Sequence, residues 1–131
     1  MWARDRIILG KIGECRAIDF LKGKGYRIIE RNYKTPLGEI DAVADEGGVI
    51  VFVETKTRIS SFFGPPCLSV TWRKRKKLIK NALCYLARHA FLNRAWRIDV
   101  VSVKMRDNYR VEYIEVIKNA VEDEGEISSF A

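Results

Sequence analysis

The stretch from Gly38 to Lys56, GEIDAVADEGGVIVFVETK, decides the fold of this chain. Two apolar runs, residues 40–44 and 49–53, flank the turn sequence DEGG, and this pattern predicts a β-hairpin. Carboxylates stand where a buried strand would normally carry another aliphatic side chain, with Asp41 in the first run and Glu54 directly after the second. The hairpin therefore brings two acidic residues into apolar surroundings.

The register of this hairpin decides whether Asp41 and Glu54 can act together. A loop of two or four residues, centred between Glu46 and Gly47, would place Asp41 opposite Phe52 and make it a diagonal neighbour of Glu54, about 7–8 Å away. Two carboxylates at that distance can share one divalent cation, whereas a three-residue loop would put them on opposite faces of the sheet. The even loop is favoured because it also collects the other apolar side chains on the second face, namely Ile40, Ala42, Ala44, Val49, Val51 and Val53.

Length and composition are those of one globular domain, with 131 residues, 47% hydrophobic and 31% charged. We expect a single domain over residues 1–131, with a core from about 4 to 117 and a frayed tail over about 118–131. No stretch approaches the roughly 20 apolar residues of a membrane span, and no signal peptide is recognisable. The expected compartment is the cytoplasm, and no membrane partner is expected.

Positive charge is concentrated in one part of a chain whose net charge is +7. No acidic residue lies between Glu54 and Asp99, whereas the same stretch contains Arg58, Arg73, Lys74, Arg75, Lys76, Lys77, Lys80, Arg88, Arg94 and Arg97. A basic block beside an acidic site predicts a polyanion partner. A solvated helix face is the alternative, but the block lacks the glutamates that a surface helix usually pairs with its lysines.

Periodicity predicts the order helix, three strands, helix, two strands. The expected spans are a helix at about Arg4–Leu21, a strand at Tyr26–Tyr33, the two hairpin strands, a loop from Thr57 to Pro66, a helix at about Val70–Phe91 capped by Ser69 or Thr71, and strands at Ile98–Lys104 and Arg110–Val116. In the loop, Phe62 and Phe63 are expected to form a small satellite core, with base stacking as the alternative. Apolar residues on both hairpin faces need cover on both sides, so helices should flank a mixed sheet.

Three small residues, Gly10, Gly13 and Ala17, recur at helical spacing in the first helix. Each glycine costs a helix about 1 kcal/mol relative to alanine. The stripe therefore predicts a close approach to another backbone.

Several other polar residues are assigned structural roles. Cys15, Cys67 and Cys84 are far apart and form no C-x-x-C pair, so reduced thiols are expected rather than a zinc site. His89 lies near the end of the second helix, away from any partner for catalysis. Asp99 is expected to pair with a nearby arginine or lysine.

The hairpin residues suffice for metal-assisted hydrolysis of a phosphodiester. Asp41 and Glu54 offer the oxygen ligands that Mg²⁺ and Mn²⁺ prefer. Lys56 would position the attacking water and neutralise the charge that develops on the phosphate. The alternative is a Glu54–Lys56 pair at an exposed sheet edge with Asp41 solvated, and spacing alone does not choose between the two.

Six short motifs recur in one order along the chain. They are Gly13-Glu14, Arg31-Asn32, Gly38-Glu39-Ile40-Asp41, Phe52-Val53-Glu54-Thr55-Lys56-Thr57-Arg58, Phe63-Gly64 and Arg97-Ile98-Asp99-Val100-Val101. This series resembles the YraN family of small bacterial proteins, endonuclease-like members of the PD-(D/E)XK nuclease superfamily. It is also similar to archaeal Holliday-junction resolvases. The resemblance covers about residues 10–117.

The resemblance implies a restriction-endonuclease-like α/β fold, a three-layer α-β-α sandwich with a central mixed sheet. It implies that Asp41 and Glu54 are metal ligands, that the backbone carbonyl of Thr55 is a further ligand, that Lys56 is the catalytic lysine, and that Glu14 completes the site. The Thr55 side chain should lie on the opposite face from Glu54.

The function expected from the motifs and the resemblance is a Mg²⁺- or Mn²⁺-dependent endonuclease acting on DNA, including branched or structured DNA. The DNA backbone would be held by Arg58, Arg73, Lys74, Lys76 and Lys77. Junction resolvases work as dimers, so a homodimer is a further expectation. A non-catalytic nucleic-acid-binding module that uses the basic helix is the rival function, and a regulatory partner in a larger complex is compatible with either.

Overall fold

The computed structural model describes residues 3–59, 72–106 and 108–121. Within them, the elements follow in the order α1 (Ala3–Gly23), β1 (Arg27–Thr35), β2 (Gly38–Glu46), β3 (Val49–Ile59), α2 (Trp72–Arg88), β4 (Trp96–Met105) and β5 (Val111–Ile117). The predicted order of helices and strands is confirmed. The predictions for Phe62 and Phe63, for the cap at Ser69 or Thr71, and for the tail from residue 122 onward lie outside the described residues.

The five strands form one mixed sheet in the order β1-β2-β3-β4-β5. β3 and β4 are parallel and the other neighbours are antiparallel. The parallel pair follows from the crossover through α2, since parallel neighbours cannot be joined by a tight turn. The buried residues form two clusters. The α1-side cluster includes Leu9, Ala17, Ala42 and Val51, and the α2-side cluster includes Val43, Phe52, Ile79 and Leu86. The predicted three-layer α/β architecture is therefore confirmed.

The hairpin between β2 and β3 has an even loop, but its register differs from the prediction by two residues. The loop is the pair Gly47 and Gly48, whose φ angles of 60° and 90° suit a tight two-residue turn. Ala44 pairs with Val51 instead of Val49, because the turn is centred one residue later than expected. The last pair between the two strands is Ala42 with Val53. Extended by one residue, this register places Asp41 opposite Glu54 and not opposite Phe52. A shift of two residues leaves the side chains that pair across the hairpin, residues 42–46 and 49–53, on their expected faces.

Ile40 is the exception to the predicted division of the hairpin into two faces. It packs with Val43 and Phe52 in the α2-side cluster, not with Ala42 in the α1-side cluster. The β2–β3 pairing ends at Ala42, so the alternation imposed by β3 does not extend to Ile40.

β3 continues beyond the hairpin to Ile59, although the sequence predicted a loop from Thr57 onward. Pairing with β4 holds this extension, and the register runs without a break from Ile50–Trp96 to Ile59–Met105. In the described chain, β3 beyond Val53 pairs with β4 alone. Its other edge is therefore open next to Asp41.

α2 ends at Arg88, three residues before the predicted end at Phe91. Ala90 adopts a left-handed conformation with φ 56°, and the Phe91 N–H donates to the Leu86 carbonyl at 2.8 Å. This is a common way for a helix to satisfy its last carbonyls. His89 stacks on Tyr85 with ring centroids 4.0 Å apart, which is a packing role as predicted.

The small residues of α1 bring this helix close to β3 at one point. A Cβ on Gly13 would collide with the side chain of Thr57, so the helix can approach the strand only with glycine there. Ala17 is completely buried. Gly10 differs, because a Cβ there meets nothing within 4 Å. The close approach is thus found at Gly13, where the neighbour is a side chain and not the predicted backbone, and it is not found at Gly10.

A buried polar network ties residues 118–121, the last ones that the structure describes, to the sheet. Asp99 is fully buried and accepts hydrogen bonds from the Tyr26 hydroxyl at 2.8 Å, from Arg97 Nε at 2.9 Å and from the Asn119 N–H at 2.9 Å. The predicted pairing of Asp99 with an arginine is present. Asn119 is held by this network, and Val121 is buried in the α2-side cluster. Tertiary contacts therefore extend to residue 121, beyond the core boundary predicted near residue 117.

Removing the Asp99 carboxylate should destabilise the domain strongly. Asp99→Ala leaves the Arg97 guanidinium and the Tyr26 hydroxyl without their buried acceptor, and we expect a loss of about 3–5 kcal/mol in the free energy of unfolding. Urea denaturation measures this value. The matched control is Glu112→Ala, at an exposed position of β5, expected to stay within about 0.5 kcal/mol of wild type. Equal effects of the two substitutions would contradict the assigned role.

Candidate active site

The candidate site lies where β2 and β3 separate. Asp41 stands on β2 one residue beyond the last paired position, and Glu54 and Lys56 stand on the part of β3 whose edge is open. The Thr55 N–H donates to Asp41 Oδ2 at 2.8 Å, so the Asp41 carboxylate bridges the gap between the two strands. The geometry of the hairpin thus brings Asp41 to Glu54, as the sequence predicted.

Asp41 interacts with two other carboxyl groups, from Glu54 and from Glu14 on α1. Burial raises the pKa of Asp41 above its ordinary value, while hydrogen bonds from Glu54 and the Thr55 N–H act in the opposite direction. Glu14 adds to the rise in this pKa by its charge and by a hydrogen bond. The structure therefore gathers Glu14, Asp41 and Glu54 from one helix and two strands.

Ionisation of Glu54 is also disfavoured. Burial, followed by the hydrogen bond and charge of Asp41, raises the pKa of Glu54 to about 7. Its side chain is 15% exposed, so water offers little relief. Two carboxylates held this close in a poorly solvated site favour either a shared proton or a bound cation.

Lys74 on α2 partly neutralises this site, which the sequence did not predict. Its Nζ lies 3.5 Å from Glu54 Oε2, and its side chain is 43% exposed. The sequence assigned Lys74 to phosphate binding because it belongs to a basic run. The contact depends on how α2 lies across the sheet, and the sequence carries no signal for that.

Lys56 lies beside both Glu54 and Lys74. Burial, followed by the hydrogen bond and charge of Lys74, lowers the pKa of Lys56, while Glu54 acts in the opposite direction. An ammonium group in such surroundings gives up its proton more readily than a solvated lysine. The site therefore combines acidic groups with a lysine able to exchange a proton.

The donor set fits a hard divalent cation. Within the described ranges, no three side chains of His, Cys, Asp or Glu are placed so that they could hold one metal ion, so a cation at this site would be bound by Asp41 and Glu54 without the Glu14 side chain. Mg²⁺ usually binds through one or two carboxylates and keeps several waters. Asp41 and Glu54 offer two carboxylates whose negative charges lack full compensation, and that arrangement suits Mg²⁺ or Mn²⁺.

The other residues predicted to bind nucleic acid spread around the start of α2 and the end of β3. Arg73 and Lys77 are exposed, and Lys76 places its Nζ 3.9 Å from the centroid of the Trp72 ring. Arg58 lines a cavity between α1 and β3, to which Thr55 also contributes. The predicted basic residues thus lie on α2 and β3, two elements that also contribute Lys74 and Glu54 to the site.

Asn81 on α2 is a buried polar residue near the site that sequence reasoning missed. Its side chain is hydrogen-bonded to the Thr35 hydroxyl, and it lines a small pocket with Asp41 and Glu54. The only available signal was its place on the buried face of α2, between Ile79 and Ala82.

The profile of the uncharacterised protein family UPF0102 matches residues 13–103 of this chain. The chain belongs to the UPF0102 family. This is the YraN family that the motifs resemble, so that prediction is confirmed. A UPF0102 protein of Moorella thermoacetica is 50% identical over 111 residues, covering 85% of this chain and 92% of the relative. One from Alkaliphilus metalliredigens is 44% identical over 106 residues, covering 81% and 93%.

Among solved structures, the chain is similar to the SfsA protein of Pyrococcus furiosus in complex with Ca²⁺. The TM-score is 0.39 and the sequence identity is 21%, with 86% of this UPF0102 chain and 62% of the SfsA chain covered. In the part of the chain that the structure describes, neither helix is both long enough and apolar enough to cross a membrane.

Neutralising Asp41 should stabilise the metal-free UPF0102 protein. Asp41→Asn keeps an oxygen that can accept from the Thr55 N–H but removes a negative charge beside Glu54. We expect the free energy of unfolding in EDTA at neutral pH to rise by about 1 kcal/mol. The control Asp19→Asn, on an exposed part of α1, should change it by less than about 0.5 kcal/mol. Marked destabilisation by Asp41→Asn would show that the Asp41 charge supports the fold.

Proposed function

We propose that this protein is a divalent-metal-dependent nuclease that hydrolyses phosphodiester bonds in DNA, including branched or structured DNA. The observation that carries the proposal is the convergence of Asp41, Glu54 and Glu14, together with Lys56, at the open edge of β3. Buried, mutually repelling carboxylates destabilise a fold, and such groups cluster at functional sites.

Each residue of the site would have a separate role in the proposed reaction. Asp41, Glu54 and the Thr55 carbonyl would hold Mg²⁺ or Mn²⁺, which polarises a phosphoryl oxygen and lowers the pKa of a bound water. Lys56 would neutralise charge on the phosphate and position the water. Glu14 hydrogen-bonds to Asp41 and would fix the orientation of that carboxyl group.

The start of α2 supplies a surface for the DNA backbone. Arg73 and Lys77 are exposed there, and no acidic residue lies in the first turn of the helix. Cations at a helix N-terminus oppose the helix dipole, and a bound phosphate would offset that cost. The preference for DNA and a homodimeric state rest on the resemblance to junction resolvases.

A non-catalytic nucleic-acid-binding module is the second candidate, and one contact favours it. Lys74 already provides a counter-charge for Glu54 at 3.5 Å, as it would if the carboxylates were structural. The two candidates differ in what Lys56 does, since only a nuclease needs it for cleavage.

The test of the proposed function is a cleavage panel with linear, single-stranded, flapped and four-way DNA and with RNA, in Mn²⁺. Wild type should cleave at least one DNA, and Lys56→Ala should lower the rate by about 100-fold or more with binding affinity nearly unchanged. Lys22→Ala, an exposed lysine on α1, serves as the control and should cleave like wild type. Binding without cleavage by the wild-type protein would favour the second candidate.

The basic start of α2 should determine the salt dependence of binding. Replacing Arg73 and Lys77 by alanine should weaken binding and reduce the slope of log K against log salt by about 0.9 for each duplex phosphate that the variant no longer neutralises. Fluorescence anisotropy at several salt concentrations measures the slope. The paired control replaces Lys22, in the last turn of α1, and Lys24, just after the helix, both of which are exposed. If both pairs of substitutions give the wild-type slope, α2 does not contact the backbone.

A further inference from the structure

A cavity of about 290 Å³ lies between α1 and the open part of β3. Its apolar wall includes Leu9 and Ile59, both almost fully buried. Two guanidinium residues, Arg6 and Arg58, also line it. We call it the α1–β3 pocket, and its lining is Arg6, Leu9, Gly10, Glu14, Thr55, Thr57, Arg58 and Ile59.

The α1–β3 pocket adjoins the candidate active site. Glu14 belongs to both, because it lines the pocket and hydrogen-bonds to Asp41. Thr55 also belongs to both, since its backbone N–H donates to Asp41. A group bound in the pocket would therefore be a close neighbour of a phosphate placed at the carboxylates.

The chemistry of the pocket suits a nucleobase better than a phosphate. Aliphatic walls contact the faces of a planar base, and guanidinium groups stack on bases or bind their polar edges. Glu14, which carries the one negative charge among the described lining residues, would repel a phosphate inside the pocket. In a continuous duplex both faces of each base are covered by stacking, so only an unpaired or extruded base can enter.

Gly10 keeps the pocket open. Gly13 is required by the approach to Thr57, but a Cβ on Gly10 meets nothing within 4 Å, so packing does not explain a glycine in the middle of α1. A side chain at position 10 would occupy the pocket instead.

We propose that the α1–β3 pocket binds one unpaired nucleotide next to the phosphate held at the carboxylates. The protein would accordingly prefer nucleic acid that offers such a nucleotide, as at a bulge, a flap or a branch point. This inference rests on the proposed function for the position of the phosphate, but it concerns recognition and not cleavage.

The test measures binding in EDTA, where no metal-dependent cleavage occurs. Three labelled DNAs of equal length are compared: a paired duplex, the same duplex with one unpaired nucleotide, and the same bulge with an abasic nucleotide. Wild type should bind the bulged duplex about tenfold more tightly than the paired one, within the range that one stacked base contributes. The abasic bulge should bind like the paired duplex.

Filling the pocket should remove this preference. Gly10→Leu should bind all three DNAs with the affinity of wild type for the paired duplex, while Gly23→Leu, at the solvent-exposed end of the same helix, keeps the tenfold ratio. Arg6→Ala, with Arg16→Ala as its control, should lower the ratio without adding bulk to the helix. Thermal unfolding confirms that each variant is folded.

The outcomes separate this inference from the proposed function. Equal wild-type affinity for paired and bulged DNA, or a ratio unchanged in both Gly10→Leu and Arg6→Ala, would overturn the pocket assignment even if the protein is a nuclease. If the preference for bulged DNA depends on Gly10 and Arg6 but the protein cleaves no nucleic acid, the pocket assignment is supported and the proposed nuclease function is overturned.

Discussion

The arrangement of this structure depends on two carboxylates that are held together in poorly solvated surroundings. Asp41 and Glu54 meet because the tight Gly47-Gly48 turn sets the hairpin register and because β2 leaves β3 after Ala42. The strand separation gives Asp41 room to accept from the Thr55 N–H. The pairing of β3 with β4 then keeps residues 54–59 extended beside the gap.

Comparison with Asp99 shows why the Asp41–Glu54 pair differs from a structural acid. Asp99 is more deeply buried, yet Arg97, Tyr26 and the Asn119 N–H satisfy its oxygens. The Asp41–Glu54 pair has the Thr55 N–H, the half-exposed Lys74 ammonium and the charge of Lys56 nearby, whereas Glu14, which also interacts with Asp41, is itself acidic. The chain thus compensates the buried Asp99 carboxylate on β4 fully, whereas Glu54 on β3, one position away in the register of these two strands, has another carboxylate as its neighbour. That difference is the physical basis of the proposed function.

Sequence patterns captured the features that depend on local periodicity. They predicted the order of the elements, the two-sided cover of the sheet and the even hairpin loop, because alternating and helical spacing directly encode these. The register was wrong by two residues because DEGG can place its turn at more than one centre. The ends of β3 and α2 were missed because β4 holds the first and the Ala90 turn sets the second. The Lys74–Glu54 contact and the α1–β3 pocket depend on how helices lie on the sheet, which no spacing in the sequence specifies.

The central claim is that the Asp41–Glu54 pair binds a divalent cation. Calorimetric titration with Mn²⁺ tests it most directly. We expect one ion per chain for wild type, at least about tenfold weaker binding for Glu54→Gln, and unchanged binding for Glu112→Gln on β5. A wild-type protein that binds no Mn²⁺, or a Glu54→Gln variant that binds it as tightly as wild type, would contradict the account.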